Sequence, residues 1–112
     1  MTDLLDREEP ADDRPVAHVD RTLEELIPRF LERRREDVAT IESLVGSGDF
    51  ETIQSMGHSI KGSGGGYGFD PITDYGAEIE AAARECDGAA TIVAARRMRA
   101  YIDVVKVVFV DE

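Results

Sequence analysis

The chain has a single cysteine, Cys86, so it cannot form an internal disulfide and a reducing compartment suits it. It lacks an apolar run long enough to cross a bilayer: the best stretch, residues 104–110, is short and broken by Lys106. No basic start followed by an apolar segment opens the chain, so no secretory leader is expected. Positive charge is scarce, with 13 basic against 24 acidic residues and a formal net charge of −11. A field of that sign repels phosphate backbones and anionic lipid, so nucleic-acid and membrane-surface binding are not expected. The expected location is the cytoplasm. The 112 residues, 42% apolar, build one modest core and leave little room for an enclosed active site.

Residues 1–17 carry six acidic and two basic side chains with Pro10 and Pro15, and read as a flexible acidic tail. Residues 18–112 read as one helical domain. Thr22 with Glu25 three residues on forms a capping box for a short extra helix over residues 20–27. Pro28 suits the first turn of the next helix, whose stripe runs Phe30, Leu31, Val38, Ile41, Leu44, Val45 until Gly46-Ser47-Gly48 stops it. Asp49 caps a helix with Phe50, Ile53, Met56, Gly57 and Ile60 on its inner face. Asp70-Pro71 starts another, with Ile72, Tyr75, Gly76, Ile79, Ala83 and Cys86 on its stripe, and Asp87-Gly88 turns the chain. The last segment keeps helical spacing from Ala94 to Phe109 although residues 104–110 are β-prone. The expectation is an all-α fold, an up-down-up-down antiparallel four-helix bundle with a short extra N-terminal helix.

The chemistry sits on the second bundle helix. His58 is about 100° round from Gly57 and so leaves the apolar stripe. Gln54, His58, Lys61, Gly62 and Gly65 share one face. An imidazole at neutral pH offers a nucleophilic ring nitrogen, and a cation one turn away offsets the charge of a group bound to it. Helical glycines cost roughly 1 kcal/mol each relative to alanine, and a run of them beside an exposed histidine suits close approach by a large partner.

His58-Ser59-Ile60-Lys61-Gly62-Ser63, followed by Gly68 ten residues after the histidine, resembles the histidine-containing phosphotransfer (HPt) domain family. The resemblance extends over residues 20–110 and includes the helix that follows Gly68. It implies a four-helix bundle with His58 as phospho-acceptor in a multistep phosphorelay. Receiver-domain aspartyl phosphate would be the donor and another receiver the acceptor. It further implies that Lys61 offsets the phosphoryl charge and that Glu80, on the following helix, orients the imidazole. Gly62 would admit the partner, and Gln54, Ser55, Ser59, Gly65 and Tyr67 would border it. The partners implied are response-regulator receiver domains and a hybrid sensor histidine kinase. No metal site belongs to the chain, since Mg²⁺ comes with the receiver. Nothing resembles a kinase ATP-binding module, so a stoichiometric carrier without autokinase activity is expected. Without a stalk or dimerisation helix it is expected to be a monomer, and with its leading Met1 a whole gene product.

Two other readings attach to the same residues. The first is a helical adaptor that binds receiver or kinase domains without accepting phosphate. The second takes Gly62–Gly66 as an anion- or nucleotide-binding loop, against which stand the missing Gly-Lys-Ser/Thr ending and the preceding helix.

Overall fold

The computed structural model of the chain describes residues 12–111. The tail expected over residues 1–17 therefore lies outside the described residues as far as Ala11. Its last residues belong to the fold, for strand β1 spans Val16–Asp20 and buries Ala17 and Val19.

Four α-helices follow: α1 Ile27–Ser47, α2 Phe50–Gly64, α3 Asp70–Arg84 and α4 Gly88–Val104. Strand β2, Lys106–Val110, closes the chain and pairs in parallel with β1, from Val16↔Lys106 to Asp20↔Val110. This sheet corrects the expectation of helix to Phe109. Val105 adopts φ −60°, ψ 134°, an extended geometry that takes the chain out of α4. The run Val107-Val108-Phe109-Val110 packs poorly into a helical turn and well onto a pleated surface. The whole helical domain serves as the crossover that parallel pairing demands.

The expected extra helix over 20–27 is a 3-10 helix, Arg21–Leu26. Its cap is Asp20, which accepts from the Thr22 amide at 2.9 Å and the Thr22 hydroxyl at 2.8 Å, so the Thr22–Glu25 box is not the starting signal. Pro28 sits in the first turn of α1, and Gly48, left-handed at φ 75°, ends it. Asp49 caps α2 by accepting from the Thr52 amide at 3.2 Å and the Thr52 hydroxyl at 2.8 Å. Asp49→Ala is expected to cost about 1 kcal/mol, measured as a shifted urea midpoint with an unchanged slope. Helix α3 is capped at Phe69 without a side-chain bond, one residue before the expected Asp70.

Cys86 departs from its expected place in the core. Helix α3 ends at Arg84, and Cys86 is exposed in the turn at φ 54°, its N–H bonded to the Ala83 carbonyl at 2.9 Å. Two residues past the helix end, the α3 periodicity no longer governs where it points.

The core joins Val38 and Ile41 of α1, Ile53 and Ile60 of α2, Ile72 and Ile79 of α3, and Met98 of α4 with Phe69 from the α2–α3 connection. Helix α2 packs on α3, α3 on α4, α4 on α1 and α1 on α2. Among the described residues no helix is long and apolar enough to cross a membrane.

Candidate functional site

The α2–α3 contact is built from absent side chains. A Cβ on Gly57 would stand 2.6 Å from the Glu80 backbone nitrogen, one on Gly76 2.3 Å from that of Lys61, and one on Gly64 2.5 Å from that of Thr73. Positions rising along α3 thus meet positions falling along α2, so these two helices run in opposite directions with their backbones touching. Only glycine permits that approach. The Thr73 hydroxyl fastens the far end, donating to the Lys61 carbonyl at 3.1 Å and accepting from the Gly65 amide at 2.8 Å.

This seam carries Glu80 to the edge of α2, where one carboxylate meets three cationic or ring groups. His58 Nδ1 lies 3.1 Å from Glu80 Oε2. Lys61 Nζ lies 3.0 Å from Oε1, and an Arg84 guanidinium nitrogen 3.7 Å from Oε2. The Glu80 side chain is 13% exposed and that of His58 70%. An ionised carboxylate only accepts. The contact therefore selects the tautomer in which Nδ1 carries the proton, leaving the Nε2 lone pair free.

The Lys61 ammonium, followed by the hydrogen bond from His58, holds the Glu80 carboxyl below its ordinary range against the opposing effect of partial desolvation. A depressed folded-state pKa means that these contacts act fully above the usual carboxylate range and are lost as pH falls through the folded value. Lys61→Met removes the foremost cause. The Glu80 carboxyl is then expected to titrate at higher pH than in the wild type, read from its ¹³C shift.

Gln54, Ser55 and Ser59 border an open groove with His58, Glu80 and Glu51. Gly62 is exposed, and a Cβ there would meet nothing within 4 Å. Gly65 begins the 3-10 turn Gly65–Tyr67, and its amide is taken by Thr73. Gly65 itself stays exposed, but with its amide taken and Gly64 closed against Thr73 these two residues do not form a phosphate cradle. Tyr67 stacks on Phe30 of α1 at 4.3 Å and lines a different groove from that of His58. The structure thus gathers His58, Lys61, Glu80, Gln54, Ser55 and Ser59 at one place, with Gly62 beside them, and sets Gly65 and Tyr67 apart.

Three contributors escaped the sequence reading. Arg84 follows Glu80 by four residues, a helix-pair signal that was readable. Glu51 lies two turns before His58 on the same face, also readable from spacing. Thr73 gave no signal, because its role depends on the close α2–α3 approach. Among the described residues no three His, Cys, Asp or Glu side chains gather to hold a metal ion.

The family model of the Hpt domain matches residues 25–107. No curated protein and no solved structure matches the chain.

Proposed function

The chain belongs to the Hpt domain family, whose role is histidine phosphotransfer in phosphorelays, and from that premise we propose that His58 is its phosphoryl carrier. The observation that carries this reading is the Nδ1–Glu80 contact, which directs the free Nε2 of an exposed imidazole outward. Nε2 attacks the phosphorus of a receiver's aspartyl phosphate. The N–P bond forms as the P–O bond to the aspartyl carbonyl carbon's oxygen breaks, and that electron pair returns to the receiver as carboxylate. The Nδ1 proton stays on the ring, and Glu80 offsets the positive charge that develops there. Passage to a second receiver reverses these bond changes.

Lys61, one turn from His58, exchanges its contact with Glu80 for the phosphoryl oxygens. Gly62 presents bare backbone to the incoming protein, and Gln54, Ser55 and Ser59 border the docked surface. Gly65 and Tyr67 flank it at a distance. The receiver supplies its own acidic pocket and the Mg²⁺ bound there. Catalysis is then positioning and charge compensation across two proteins. Members of the family interact with receiver domains and kinases, and for this chain the upstream partner is a hybrid sensor histidine kinase. The remaining parts of the proposal are an up-down-up-down antiparallel arrangement of α1–α4, a monomer and a cytoplasmic location.

The test is incubation with a phosphate-charged receiver, followed by intact mass at neutral pH. One added phosphoryl group, labile in acid and stable in base, is expected. Binding of charged receivers without any mass increase would replace this reading with that of an adaptor.

A further inference from the structure

Glu80 stands between two cations. The α2–α3 seam pins its backbone, since a Cβ on Gly57 would come within 2.6 Å of the Glu80 nitrogen. Lys61 approaches from one side. Arg84, one helical turn beyond Glu80 and the last residue of α3, falls on the other side of His58, because the two helices run in opposite directions. The two cations are held differently. Lys61 Nζ is 3.0 Å from Oε1, whereas the Arg84 guanidinium is 3.7 Å from Oε2, the oxygen already 3.1 Å from His58 Nδ1. At 3.7 Å the guanidinium attracts the carboxylate without a hydrogen bond to it. Glu80 is the acid that Arg84 pairs with among the described residues, and the arginine side chain is 56% exposed. It is free to swing, and its fork of N–H donors can span both carboxylate oxygens.

Phosphorylation changes what Glu80 needs. A phosphoryl group on Nε2 brings roughly two negative charges and draws Lys61 away from Oε1. Glu51, which lines the same groove, adds a further anion on α2. A carboxylate that is 13% exposed, beside like charges and without its lysine, is pushed toward its protonated form. A protonated Glu80 no longer offsets the charge on the ring, and the Nδ1 proton loses its ionised acceptor. The site therefore needs a second cation that stays with Glu80. Arg84 meets that need, because it is anchored four residues away on the same helix and faces the carboxylate from the side opposite Lys61.

We propose that Arg84 is a positioning residue of the transfer, which closes on Glu80 as its counter-cation when Lys61 turns to the phosphoryl group. This rests on His58 as the phosphoryl carrier. A residue that merely complemented the C-terminal dipole of α3 would contribute to stability alone.

A double-mutant cycle in the full chain tests this, with Lys61→Met standing for the state in which the lysine has left. The Glu80 carboxyl is read from its ¹³C shift. Arg84→Gln alone is expected to move its titration little, because Lys61 still holds it. In Lys61→Met/Arg84→Gln it is expected to titrate at higher pH than in Lys61→Met, and Lys61→Met/Arg84→Lys is expected to restore most of the difference. Transfer from a charged receiver is expected to slow about fivefold in Arg84→Gln and to recover in Arg84→Lys. Equal Glu80 titration in Lys61→Met with and without Arg84 would overturn the proposal. So would unaltered transfer in Arg84→Gln, or a lowered melting temperature as the sole effect. A wild type that gains no phosphoryl group in the same assay would overturn the carrier reading, and this proposal with it, whatever the titrations show.

Discussion

His58→Gln is expected to take up no phosphoryl group from a charged receiver under conditions in which the wild type gains one. Glutamine preserves most of what the site does apart from chemistry. Its amide N–H can donate to Glu80 Oε2 as Nδ1 does, its volume is close to that of imidazole, and the position is 70% exposed. Stability and docking are therefore expected to change little. Its amide nitrogen, with the lone pair delocalised into the carbonyl, is no nucleophile toward phosphorus. Loss of incorporation with retained receiver affinity, measured by intact mass and by calorimetry on the same samples, separates a carrier from an adaptor. An adaptor would signal equally well with either side chain.

Gly76→Ala is expected to be the most damaging small substitution in the α2–α3 seam. The added methyl would stand 2.3 Å from the Lys61 nitrogen, 2.7 Å from its Cα and 2.9 Å from the Gly57 carbonyl oxygen. All three are backbone atoms, so no side chain can rotate away and the helices must separate. Alanine brings a helix-propensity gain of about 1 kcal/mol, but overpacking of this kind costs about 1–3 kcal/mol or more. A net fall of several degrees in the melting temperature follows for a domain of this size. The separation also draws Glu80 back from His58, so transfer is expected to slow at temperatures where the variant is still folded. Gly62→Ala is the control. It meets nothing within 4 Å, and the propensity gain alone is expected to raise stability.

These two sites show where the sequence was readable. The shared face of His58 and Lys61 was legible from the helix period, and the place of Glu80 beside them came only through the family resemblance; in the structure Glu80 contacts both. The four helices were legible from apolar periodicity with Asp49, Asp87 and Gly48 at their ends. The glycine seam was only half legible: Gly57 and Gly76 fall on the inner stripes of their helices, but their reciprocity depends on which turn of α3 faces which turn of α2. Gly62, Gly65 and Gly66 look alike in sequence to Gly64, and only the fold separates the open ones from the one closed against Thr73.

The sheet was illegible for a related reason. Strand β2 pairs with residues about ninety positions earlier, and local periodicity carries no information across that distance. Its β-branched composition was visible, but without a visible partner the helical period prevailed. The same blindness put the tail boundary at residue 17, inside β1. Cys86 was misplaced because a stripe was extended two residues beyond the end of its helix.

The most direct test of the central claim is ¹⁵N–³¹P NMR on ¹⁵N-histidine protein charged by a phosphorylated receiver. The account predicts one coupled histidine, His58, with phosphorus on Nε2 and the proton on Nδ1 facing Glu80. A receiver that loses its phosphate while neither nitrogen of His58 gains phosphorus, or phosphorus on Nδ1, would contradict it.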